Sequence, residues 1–127
     1  MKFLLDTHAL IWYFEDSSSI PEKIVNLIDS NVNRKYICSV SLWEIAIKTN
    51  IGKLKMNLPF DELLAEIANS ELTILQVENE YLKSVLTLPF LHKDPFDRLI
   101  IATAITENMP IITIDENIHK YDVSCIW

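Results

Sequence analysis

Four acidic side chains occupy positions from which they could act together: Asp6, Glu44, Asp97 and Asp115. Asp6 directly follows the apolar run Phe3-Leu4-Leu5, and Asp115 follows Ile111-Ile112-Thr113-Ile114. Glu44 falls early in SLWEIAIK and Asp97 early in DPFDRLIIATA. Each has a purely structural use. Asp6 can cap the turn after it. Ser41-Leu42-Trp43-Glu44 fits a capping box in which Glu44 reaches back to the Ser41 amide. Asp94-Pro95-Phe96-Asp97 reads as an N-cap followed by an acid in the first turn, and Asp115 in IDENI can brace a turn. As a set they have a different meaning. Unit charges about 4 Å apart repel by about 1 kcal/mol in water and several times that near protein. Helix N-termini offset only part of this. Carboxylates gathered in one cleft therefore suggest a bound cation. All-oxygen donors without a Cys/His cluster favour magnesium or manganese over zinc.

The elements that must position these acids alternate short apolar runs with longer amphipathic ones. KFLLD is predicted as the first strand, followed by helical THALIWYF. IPEKIVNLIDS carries Ile24, Leu27 and Ile28 at helical spacing. YICSV is a second strand, and SLWEIAIKTN a helix closed near the only glycine, Gly52. PFDELLAEIANS is a helix with an acidic first turn, LTILQV a third strand and NEYLKSVLTL another helix. DPFDRLIIATAITEN is the most strongly marked helix, with Pro95 at its first position. PIITID and VSCIW supply the fourth and fifth strands.

Strands this continuously apolar are covered on both faces. The expected fold is α/β, a three-layer helix–sheet–helix sandwich on a mainly parallel sheet of about five strands, with residues 1–127 forming a single domain. Ligands of such sheets bind beyond the carboxyl ends of the strands. That rule puts Asp6, Glu44 and Asp115 on one edge, whereas the place of Asp97 depends on the course of the preceding LPFLHK.

Composition sets further bounds. Half of the 127 residues are hydrophobic, enough for a core without disulfides. Cys38 and Cys125 sit in predicted strands and read as small buried hydrophobes, consistent with a reducing cytoplasm. Asp6 and His8 interrupt the apolar N-terminus, and no run approaches the ~20 residues of a membrane span, so a soluble protein is expected. None of the three histidines has metal-site spacing. His92, close to Asp94 and Asp97, is the one placed for a role at a cleft rim. The net charge of −7, from 18 acids against 11 bases, speaks against strong nonspecific binding of nucleic acid. Any nuclease reading has to account for it.

FLLDTHALIW, SLWEIAIK with GKL shortly after, HKDPFDRLIIATA and PIITID, in that order, resemble the PIN-domain nucleases, and within them the VapC-like toxins of bacterial and archaeal toxin–antitoxin pairs. The similarity runs from Phe3 to Trp127. It implies that Asp6, Glu44 and Asp97 match the three core acids and Asp115 the less uniform fourth, as catalytic and metal-holding residues. Thr7 looks like the small polar residue that supports the metal's water shell. Asp94 resembles the acid of the DPFDR variant, with helix capping as its first use and metal proximity as its second. Lys48 and Arg98 match basic positions whose alternatives are a substrate role or a solvated helix face. The implied activity is that of an endoribonuclease, hydrolysing phosphodiester bonds with Mg2+ or Mn2+. The resemblance also implies a cognate antitoxin and a homodimer. The acidic balance is then offset by the metal, with Lys48, Lys53, Lys55, Lys93 or Arg98 rimming the cleft.

Three other classes compete. A haloacid dehalogenase-like phosphatase needs a second acid two residues after Asp6, where His8 stands. A phospho-acceptor receiver domain places its reactive Asp on a middle strand and a Lys after the last, a layout that neither KFLLD nor VSCIW supports. A PIN fold kept as an inactive binding module is countered by the four intact acids.

Overall fold

Strand β1, Lys2–Leu5, is buried from Phe3 onward and leads straight into Asp6. The backbone there is extended (φ −76°, ψ 174°), and the carboxylate accepts the Ala9 N–H to open α1, Thr7–Phe14. The computed structural model describes residues 1–127. The chain continues through α2 (Glu22–Asp29), β2 (Arg34–Cys38), α3 (Ser39–Asn50), α4 (Phe60–Ala68) and β3 (Thr73–Leu75). It ends with α5 (Asn79–Thr87), α6 (Pro95–Glu107), β4 (Ile111–Ile112), α7 (Glu116–His119) and β5 (Cys125–Ile126).

The sheet has the order β3-β2-β1-β4-β5, and every pairing is parallel. Leu5 of the central strand lies opposite Ile37 on one side and Ile112 on the other. Winding reverses at β1, so the crevice between the carboxyl ends of β1 and β4 is the topological switch point, where such sheets place ligands.

Side chains alternate between two cores. Phe3, Leu5, Ile37 and Ile112 pack with Ala9 and Leu10 of α1, Ile24 and Ile28 of α2, and Leu63 and Ile67 of α4. Leu4, Cys38 and Ile111 face the other way, onto Ile100, Ile101 and Ala104 of α6 and Ile118 of α7. The three-layer sandwich expected from the apolar strands is the observed one. No helix is long and apolar enough to cross a membrane.

Two local expectations need correction. Helix α3 begins at Ser39, two residues before the expected start, because β2 ends its pairing at Cys38 opposite Leu75. Ser39 and Val40 therefore belong to the helix, although their apolar surroundings read equally well as strand. Glu44 then sits in the second turn, and the Ser41–Glu44 capping box does not form; the N-cap is Cys38, without a side-chain cap. Strand β4 is also shorter than PIITID. Asp115 lies past its end as the N-cap of α7, accepting from the Asn117 N–H at 2.8 Å.

Candidate active site

Asp6 is 4% exposed, and both its oxygens are engaged. Oδ1 accepts the Ala9 N–H at 2.8 Å, and Oδ2 accepts the hydroxyl of Thr113. Burial raises its pKa to about 6, against the opposing pull of those two donors, and the nearby Asp115 charge adds to the rise. Thr113 is itself fully buried, and its oxygen accepts the Asp115 N–H at 3.0 Å. It therefore fixes the β1 acid relative to the acid that follows β4.

Glu44 is equally buried, at 3% exposure. Its Oε1 accepts the Thr7 hydroxyl at 2.6 Å, and that hydroxyl lies 3.0 Å from Ser41 Oγ. Its Oε2 is 2.5 Å from Lys48 Nζ, one helical turn further along α3. The same ammonium lies 3.2 Å from Asp94 Oδ2. Burial works against the charge on Lys48, but the two carboxylates outweigh it and leave its pKa raised. Asp94 caps α6 through Oδ1, which accepts the N–H groups of Phe96 (2.8 Å) and Asp97 (3.1 Å). Burial opposes ionisation of Asp94, yet the Asp97 N–H, Lys48 and the Phe96 N–H hold its pKa below the ordinary carboxylate value.

Asp97, in the first turn of α6, is brought to the same edge as the other acids. Its Oδ2 lies 2.8 Å from His92 Nε2. Its pKa is raised to about 6, chiefly by burial; His92 opposes the rise, and the charges of Asp94, Glu44 and Asp6 add to it. Glu44, Asp94 and Asp97 each offer an oxygen within 4.8 Å of the others. His92, Asp97 and Asp115 form a second such group, so Asp97 belongs to both. Asp6 belongs to neither group, although its charge acts on Asp97. Carboxylate oxygens joined by one imidazole suit a hard divalent cation. Such an ion would also relieve the burial that holds Asp6 and Asp97 near 6.

Basic residues divide into two sets. Lys48 and the exposed Lys53 line a cavity of about 300 Å3 with Thr7, His8, Ile11, Glu44 and Leu54. Lys55 and Lys93 are exposed. Arg98 instead points its guanidinium at the carbonyls of Pro89 (3.0 Å) and Leu88 (3.4 Å) and at the Tyr121 phenol (3.1 Å), and it stacks on Phe90. The Tyr121 oxygen also accepts the N–H groups of Leu91 and His92, at 3.0 and 2.9 Å. This brace holds the loop that presents His92 to Asp97. Neither Thr113 nor Tyr121 is marked in the sequence, because neither is charged or set in a recognisable spacing. His92 is signalled only by its closeness to Asp94 and Asp97.

A family model described as PIN domain matches residues 3–124. Among solved structures the chain is similar to VapBC2 from Rickettsia felis bound to a DNA fragment from its promoter, with a TM-score of 0.73 and 19% identity over 99% of this chain and 98% of that one. It is also similar to FitAcB from Neisseria gonorrhoeae, with a TM-score of 0.69 and 17% identity over 98% and 96% of the two chains. A toxin-antitoxin complex from Klebsiella pneumoniae matches with a TM-score of 0.65 and 17% identity, covering 98% of this chain and 95% of that one. No curated protein matches.

Proposed function

The chain belongs to the PIN domain family, and from that premise we propose that it is a metal-dependent endoribonuclease, the toxin of a toxin–antitoxin pair. The observation that carries this reading is the pair of groups Glu44–Asp94–Asp97 and His92–Asp97–Asp115, which share Asp97, with the buried Asp6 near enough for its charge to act on Asp97. Similarity to structures described as VapBC2 and as a toxin-antitoxin complex supports the biological half of it.

In this reading Asp97 and Asp115 would hold Mg2+ or Mn2+, with Glu44 and Asp6 completing the charge around it. Bound there, such an ion would supply activation of a water and stabilisation of charge on the scissile phosphate. The chain's own residues do the rest. Thr7 fixes the Glu44 carboxylate through Oε1, and Thr113 fixes Asp6 through Oδ2. Asp94 orients the first turn of α6 that bears Asp97. His92 Nε2, 2.8 Å from Asp97 Oδ2, would join Asp97 and Asp115 around the ion. Lys53 and Lys48 supply positive charge in the cavity beside Glu44, where the RNA phosphates would run. Arg98 supports the loop, with its nitrogens directed at the Pro89 carbonyl and the Tyr121 phenol.

The partners that go with this reading are RNA as substrate, an antitoxin protein and a second copy of the chain, in the cytoplasm. Its test is direct. Purified protein should cleave single-stranded or looped RNA in Mn2+ or Mg2+, stop in EDTA and recover when the ion is restored. Cleavage that persists in EDTA would contradict metal dependence, and stable binding of RNA without cleavage in either ion would favour an inactive binding module.

A further inference from the structure

Residues 44 and 48 lie one turn apart on the same face of α3, and Lys48 leans across to a second element. Its ammonium nitrogen is 2.5 Å from Glu44 Oε2 and 3.2 Å from Asp94 Oδ2, so it bridges two of the three members of the Glu44–Asp94–Asp97 group. We propose that Lys48 is a tethered cation standing where a second metal ion would sit, so that the cleft takes one divalent ion and not two. The inference rests on the metal-site reading above.

The argument is one of space and of anchoring. A Mg2+ ion held by Glu44 and Asp94 would lie about 2.1 Å from each carboxylate oxygen, in the volume that the ammonium fills. Both carboxylates are fixed from behind: Glu44 by the Thr7 hydroxyl, and Asp94 by the N–H groups of Phe96 and Asp97. The ammonium also lies 5.6 Å from the centre of the Phe96 ring, which closes that side. The second group differs. No Lys or Arg forms an ion pair with Asp97 or Asp115, and the histidine at Asp97 is a neutral-capable donor that a metal can share. The one ion would therefore be held by His92, Asp97 and Asp115, and Lys48 sets the stoichiometry by occupying the space between Glu44 and Asp94.

The test counts Mn2+ bound per chain, from the loss of the free-ion electron paramagnetic resonance signal at neutral pH. Wild type should bind one ion. Lys48→Met should bind two, because Glu44 and Asp94 are then left facing each other without a cation. Lys48→Gln should also bind two, and it keeps a polar head if the Met variant fails to fold. Lys48→Arg should stay at one. Two ions on the wild type, or a single ion on both neutral variants with circular dichroism reporting native folds, would overturn the role of Lys48 while leaving the metal site standing. No bound ion on any of the proteins would overturn the metal-site reading itself, and this inference with it.

Discussion

Asp97 touches His92 and shares ligand distance with Glu44, Asp94 and Asp115, so its ionisation is felt on every side of the cleft. Asp6 and Asp97 rise from 3.8 to about 6 in the fold, so the native protein holds their protons more tightly than the unfolded chain does. These two residues therefore favour the fold at low pH, and their contribution is lost as pH rises through roughly 4 to 6. Melting temperatures in EDTA should record that loss, and Asp97→Asn should flatten it; an unchanged slope would contradict the raised value. Mn2+ must displace the same protons, so its affinity should climb over the same window. Asp115→Asn isolates charge from capping, since asparagine serves as well as aspartate at an N-cap. The variant should melt higher than wild type without metal. Mn2+ at ten times its Kd should stabilise the wild type by about 1.4 kcal/mol, roughly 5 °C, and the variant clearly less. Equal gains would remove Asp115 from the site. Asp6 and Asp115 were legible in the sequence because they follow apolar strand runs, and Asp97 because it opens a helix. Glu44 was placed from a helix start expected at Ser41 and lies in the second turn. Thr113 and Tyr121 were not, since an uncharged hydroxyl reveals its partners only when the chain has closed. Lys48 stood out as a basic position, but its bridge to Asp94 joins residues 46 apart in the chain.

Helix α3 ends where Gly52 takes the left-handed conformation, at φ +75°. Its N–H bonds the Thr49 carbonyl, and the Lys53 N–H bonds that of Lys48. This turn sends Lys53 back toward the cavity beside Glu44. A Cβ at Gly52 would meet nothing within 4 Å, so any cost of Gly52→Ala comes from the backbone alone. It should destabilise by about 1 kcal/mol in urea denaturation, the penalty of the left-handed region for a residue with a Cβ. A neutral outcome would mean that the turn re-forms otherwise. At this scale the sequence was informative about which elements exist and weaker about where they begin. The β2–α3 junction has no punctuating residue: Ser39 and Val40 fit a strand's composition, and only the end of pairing at Cys38 decides. Likewise α7 is a single turn, too short for any apolar period to announce it. The position of Asp97 was open for a related reason. The run LPFLHK carries no pattern, and its course is set by Arg98 and Tyr121 from outside the run.

Across the whole molecule, the acidic balance and the proposed handling of RNA are compatible because part of the −7 charge is concentrated in the cleft. In the proposed reading a divalent ion and Lys48 would offset it where the phosphate arrives, while Lys53 stands at the cavity wall. The parallel order β3-β2-β1-β4-β5 makes this possible by bringing residues 6 and 115 to neighbouring strand ends. In a bacterium, induced expression should arrest growth, and Asp6→Ala should relieve the arrest; equal arrest by both proteins would trace toxicity to something other than this site. The most direct measurement is single-turnover cleavage of a short fluorescent RNA in Mn2+ by wild type and by Asp97→Asn, with circular dichroism showing both folded. The exchange keeps the shape of the side chain and removes its charge from both ligand groups at once. The expected result is loss of at least about a hundredfold in rate, of the order reported for removing one stabilising group from a reacting centre. Equal rates for the two proteins would contradict the assignment of these acids as the nuclease centre.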